Sequence, residues 1–64
     1  MTIKLTVPGM ACGTCANNIT NAVKAVDANA IVEADPKTKF VNVETQASET
    51  VIKEALIAAG YPPS

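Results

Sequence analysis

Cys12 and Cys15, the only cysteines in the chain, stand three residues apart in the segment Gly9-Met10-Ala11-Cys12-Gly13-Thr14-Cys15. The thiolate, not the thiol, is the metal ligand and the nucleophile, so two thiols at this spacing point to soft-metal binding or dithiol–disulfide chemistry. A structural disulfide between them would close a very short loop and gain little from the cross-link. A strand-like run precedes the segment and a helix-like run follows it. A helix N-terminus supplies unpaired N–H groups and partial positive charge, which favour the thiolate form of Cys15.

The elements that must position this pair follow from periodicity. Ile3, Leu5 and Val7 alternate with Thr2, Lys4 and Thr6, predicting a strand over residues 2–7 that Pro8-Gly9 ends. From residue 14 to 26 the spacing of Cys15, Ile19, Ala22, Val23 and Val26 is helical, with Thr14 as the expected N-cap. The outward positions Asn17, Asn18, Thr20 and Asn21 carry no charge, and Lys24 is the helix's one cation. Residues 30–34 and 39–45 read as a strand pair joined by a turn at Asp35-Pro36-Lys37-Thr38. That loop length sets Val32 opposite Val41, Ala30 opposite Val43 and Glu33 opposite Phe40, leaving a mixed outer face open to solvent. Lys37 and Lys39 read most simply as solvated turn residues, with a docking patch as the alternative. Ser48 can cap a second helix over residues 48–59, with Val51, Ile52, Ala55, Leu56 and Ala59 inward, Glu49 and Lys53 paired, and Gly60 as the stop.

Pro62 and Pro63 lack the backbone donors of a central strand, so a fourth strand is short, at an edge, or missing. Strand, helix, strand, strand, helix and a doubtful last strand predict an α+β, ferredoxin-like βαββαβ sandwich: an antiparallel sheet with two helices on one face. At 64 residues the chain is read as one domain spanning 1–64.

Composition excludes several classes of function. Five lysines against six acidic residues, with one Phe, one Tyr and no Trp, leave neither a basic footprint nor a stacking platform for nucleic acid. No stretch is long enough to insert into a membrane, and Met1-Thr2-Ile3-Lys4-Leu5 lacks the apolar run of a signal peptide, so a cytoplasmic location is expected. Without His, and with both thiols in one loop, no general base or nucleophile triad can be assembled, so the chain is not expected to be an enzyme.

Two thiolates alone make a soft, undersized donor set that suits Cu(I), with Ag(I) and Hg(II) as surrogates. Zn(II) is disfavoured, because it takes four protein ligands in structural sites.

In this context Gly9, Met10, Cys12 and Cys15 match the Gly-Met-x-Cys-x-x-Cys signature of the heavy-metal-associated domain, and the whole chain resembles that family. Within it, the small size and the Gly60-Tyr61 pair are similar to the bacterial and cyanobacterial copper metallochaperones. The resemblance implies Cu(I) carriage by Cys12 and Cys15 and transfer by ligand exchange to the metal-binding domains of copper-transporting P-type ATPases. It also implies an apo monomer that copper could bridge into a homodimer. The family's zinc-handling members often resemble this chain with an Asp before the first Cys, where Ala11 stands here. Met10, Gly13, Thr14 and Tyr61 are the expected supporting residues. Met10 is either a core residue beneath the loop or a thioether ligand, with the resemblance favouring the core. Gly9 and Gly13 are read as backbone permissions for a sharp loop and close approach to the metal, not as ligands, Thr14 as cap or thiolate hydrogen-bond donor, and Tyr61 as loop neighbour of the metal or closure of the core. Pro62-Pro63 departs from the family's short fourth strand.

Three alternatives compete. One is an excised N-terminal metal-binding domain of a copper ATPase, against which only the compact ends starting at Met1 speak. Another is a small thiol-disulfide oxidoreductase, against which chain length and the lack of a suitably placed proline argue. A mercury-handling periplasmic relative would need an export signal.

Overall fold

The computed structural model describes residues 2–64. Strand β1 (Thr2–Thr6) leads through the cysteine loop into helix α1 (Gly13–Val26), followed by β2 (Ile31–Asp35), β3 (Phe40–Glu44) and α2 (Glu49–Ala58). The three strands form one antiparallel sheet in the order β1-β3-β2, as the ferredoxin-like expectation requires.

Alternation decides which strand residues face inward. Ile3, Leu5, Val41 and Val43 are buried on one face, where Ile19 and Val23 of α1 and Ile52 and Leu56 of α2 meet them. Each fully buried Val, Leu or Ile contributes about 1.5–3 kcal/mol relative to exposure, so this aliphatic cluster is the main source of stability in so small a chain. The opposite face is open: Phe40 is 58% exposed and Ile31 59%. Val26 and Val51, expected inward, are also exposed, because they sit at the last residue of α1 and in the first turn of α2, past the ends of the packed interface.

The register of the β2–β3 hairpin differs from the expected one by two residues. Val32 pairs with Val43, Ala34 with Val41 and Glu33 with Asn42, and Asp35–Phe40 closes the ladder. Lys39 accounts for the shift. Its φ of 70° puts it in the left-handed region, and its N–H donates to the Asp35 carbonyl at 2.8 Å, so it belongs to the turn and not to β3. A shift of two leaves every side chain on its original face, so Val41 and Val43 still point inward and Phe40, Asn42 and Glu44 outward.

Helix α2 begins as expected, with Ser48 Oγ accepting from the Val51 N–H and a Glu49–Lys53 ion pair at 3.0 Å. It ends in a Schellman arrangement. Gly60, at φ +91°, donates to the Ile57 carbonyl, and Tyr61 donates to Leu56. No fourth strand forms among the described residues. Instead the tail carrying Pro62 and Pro63 returns to β1 through one bond, Ser64 N–H to the Thr6 carbonyl at 2.8 Å.

Candidate metal centre

Helix α1 starts at Gly13, one residue earlier than expected, and its N-cap is Cys12 rather than Thr14. The Cys12 backbone is extended, its carbonyl accepts the first helical bond from Ala16 at 3.1 Å, and no side chain caps the helix. Thr14 therefore lies inside the first turn. The leading N–H groups of α1 have no side-chain cap, which leaves the positive end of the helix dipole facing the cysteines.

Both cysteines are free thiols, Cys12 exposed and Cys15 half-buried, and their Sγ atoms lie 3.3 Å apart. The Cys15 thiol is lowered from 9.0 to about 7. Hydrogen bonding from the Ala11 backbone is the largest cause, followed by the side chains of Tyr61 and Cys12, with burial opposing them. Near neutral pH, Cys15 is thus poised between thiol and thiolate. Among the described residues no group of three His, Cys, Asp or Glu side chains converges to hold a metal, so the pair has no third protein ligand of those types beside it.

Met10 is fully buried in the aliphatic core, and its N–H donates to the Val7 carbonyl at 3.1 Å. The loop is thus nailed down two residues before Cys12. Tyr61 is brought to the site by the turn at Gly60. It packs against the core cluster, its hydroxyl accepts from Asn18 Nδ2 at 3.1 Å, and it acts on Cys15. The two readings of Tyr61 are thus not exclusive: the ring closes the core while the hydroxyl faces the site.

Gly13 does not need to be glycine on steric grounds. Its φ is outside the left-handed region and an added Cβ would meet nothing within 4 Å; Gly9 is the same. The expectation of a sharp, glycine-dependent loop is corrected here: the loop is turned by Val7–Met10 hydrogen bonding and the buried Met10, not by left-handed glycines. Two residues at the site escaped sequence reading. Asn18 appeared only as one of several neutral outward positions. Lys39, assigned to a solvated turn, donates from Nζ to the Met10 carbonyl at 2.6 Å. Its distance of 29 residues from Met10 left no local signal.

No curated protein sequence matches the chain. Among solved structures, copper chaperone Atx1 from Synechocystis PCC6803, in a trimeric copper form with one histidine replaced by tyrosine, superposes with a TM-score of 0.94 at 39% identity, covering 97% of this chain and 98% of that one. A gold binding protein matches at TM-score 0.91 and 42% identity, over 94% of this chain and 92% of its own. Oxidized MerP from Ralstonia metallidurans CH34 matches at TM-score 0.88 and 29% identity, over 100% and 93%. The model of the heavy-metal-associated domain matches residues 4–62, a span that takes in both helices, all of β2 and β3 and the cysteine loop, and the chain belongs to that family.

Proposed function

We propose that the chain is a Cu(I) metallochaperone that holds the ion between Cys12 and Cys15 and passes it to the metal-binding domain of a copper-transporting P-type ATPase. The observation that carries this reading is the pair of free thiols 3.3 Å apart, one exposed and one lowered to about 7, at an uncapped helix N-terminus. Such a donor set is soft, anionic and short of ligands, which fits Cu(I) better than Zn(II). Family membership and the copper chaperone among its structural relatives support the same metal class.

Low coordination supplies the mechanism. An incoming cysteine of the partner gives up its proton and forms a sulfur–metal bond, making a three-coordinate ion. The Cys12–metal bond then breaks and Cys12 regains a proton; a second thiolate of the partner displaces Cys15 in the same way, and the ion stays Cu(I) throughout. Cys12 leaves first because it lies on the exposed loop, whereas Cys15 is anchored in the first turn of α1 and receives hydrogen bonds. The protein in this reading binds and carries; it makes and breaks no covalent bonds in an organic substrate. Asn17, Asn18 and Asn21 leave the face of α1 beside the cysteines uncharged, which suits a weak, transient contact in the cytosol with little salt dependence. The thiol pairs of two copies could share copper through the exposed Cys12, so in this reading the apo protein is a monomer and the loaded one is able to dimerise.

The test is native mass spectrometry under reducing conditions with Cu(I), Ag(I) and Zn(II) in competition. One Cu(I) per chain, displaced by Ag(I) but not by equimolar Zn(II), is expected. Preferential Zn(II) loading, or no metal with strong insulin-reducing activity, would overturn the reading in favour of a zinc carrier or an oxidoreductase.

A further inference from the structure

Lys39 is built into the cysteine loop by four separate features. Its backbone takes the left-handed conformation, φ 70°, which disfavours any residue with a Cβ and is kept by folded proteins only where the surroundings impose it. Its carbonyl accepts from the Val7 N–H at 2.8 Å, at the start of the turn that leads to the cysteines. Its ammonium donates to the Met10 carbonyl at 2.6 Å, two residues before Cys12. Finally, among the described residues the one ion pair is Lys53–Glu49, so the Lys39 ammonium meets no carboxylate and is directed at a backbone carbonyl. An exposed lysine ordinarily extends into water; this one is half-buried beneath the loop.

Met10 is then held from three sides: its side chain by the core, its N–H by Val7 and its carbonyl by Lys39. The side chains of the next two residues, Ala11 and Cys12, are exposed, and the bonds these residues make run forward into α1, to Cys15 and Ala16, so on the strand side the loop is held at Met10. Without the ammonium, the Met10 peptide can rotate its carbonyl toward solvent, and Cys12 moves with it.

We propose that Lys39 is the positioning residue of the cysteine loop, its ammonium fixing the Met10 carbonyl so that Cys12 stays within bridging distance of Cys15. The β2–β3 turn thereby sets the lifetime of the bound ion on its more exposed ligand. The cargo half of this statement rests on the Cu(I) reading above; the loop-ordering half does not.

Two readouts on reduced protein separate the halves. The first is exchange of the hydrogen-bonded Met10 and Ala11 amides in the apo protein; the second is the rate of Cu(I) release to a chromophoric chelator. In Lys39→Met, which keeps the stem and loses the charge, exchange in the loop is expected to rise about tenfold, the scale of one charge-assisted hydrogen bond, with a similar rise in Cu(I) release. Lys39→Arg, still able to donate to the carbonyl, restores most of the protection. Lys39→Gly is the decisive control because glycine relieves the left-handed strain. A residue needed only for the turn would give a Gly variant with an equal or higher melting temperature and a wild-type loop. A loop brace gives the same melting temperature with a fast-exchanging loop. Wild-type exchange of the Met10 and Ala11 amides in both Lys39→Met and Lys39→Gly would overturn the proposal. If the wild-type chain bound no Cu(I), the functional reading would fall while the exchange data still decided the brace.

Discussion

Met10 offers the sharpest test of how the loop is supported, because burial and metal ligation predict opposite outcomes for one substitution. It is fully buried and among the largest such side chains in the protein. Truncation by Met10→Ala should cost about 2–5 kcal/mol, the lost transfer energy plus the cavity left behind. A chain of this size has a total stability of roughly 3–10 kcal/mol, so the alanine variant loses a large part of it. At ~4–8 °C per kcal/mol for a domain of 60–100 residues, the melting temperature should drop by at least about 8 °C. Met10→Leu conserves volume and removes the sulfur, and should cost less than about 1.5 kcal/mol. Thermal melting followed by circular dichroism with reductant present gives the stability of each variant. Cu(I) competition against a chelator at a temperature where each is folded gives the site. Near-normal Cu(I) binding by Met10→Leu is expected. Loss of binding in a leucine variant that melts like the wild type would refute the reasoning, because it would make the thioether a ligand.

Other predictions follow from the same geometry. The Cys15 thiol, at about 7 in the folded chain against 9.0 unperturbed, should be alkylated by iodoacetamide with a midpoint near pH 7, read by peptide mass spectrometry. Because the folded value is the lower one, this group favours folding fully above pH 9.0 and loses that contribution as pH falls through about 7; a midpoint near 9 would contradict the site as described. Tyr61→Phe should move that midpoint upward only partway, since the Ala11 backbone is the larger cause, and Asn18→Ala should move it in the same direction by less. Gly60→Ala should destabilise by about 1–2 kcal/mol purely through its left-handed backbone, as an added Cβ meets nothing within 4 Å. Gly13→Ala, at the first helical position with the same free space, should melt no lower than wild type; a clear loss of stability there would restore a backbone role for that glycine. Cys12→Ser and Cys15→Ser should differ in Cu(I) transfer to an acceptor thiol, with the Cys15 variant the more damaged; equal rates would remove the asymmetry between the two ligands.

Features that depend on neighbours within a few residues were legible in the order of the amino acids. Alternation in Ile3, Leu5 and Val7 and helical spacing from Cys15 to Val23 established the first strand, the first helix and their inward faces. Ser48, Gly60 and the Glu49–Lys53 spacing placed the second helix within a residue at each end. The cysteine spacing and the absence of His narrowed the chemistry before any contact was known. These signals survive because strand and helix periodicities are local properties of the backbone.

Features that depend on residues far apart in the chain emerge once the elements have packed. Hydrophobic alternation has a period of two, so it could not tell the observed β2–β3 register from one shifted by two; the left-handed backbone of Lys39 did. The same conformation brings the Lys39 ammonium to Met10 and so to the cysteine loop, across 29 residues. Asn18 and Tyr61, 43 residues apart, meet because the left-handed turn at Gly60 directs the tail under α1. The part of the Cys15 lowering that comes from Tyr61, the second-largest cause after the neighbouring Ala11 backbone, is likewise long-range. Local pattern specifies the elements and the donors, while the long-range hydrogen bonds that hold those donors at a fixed distance exist only once the elements have packed.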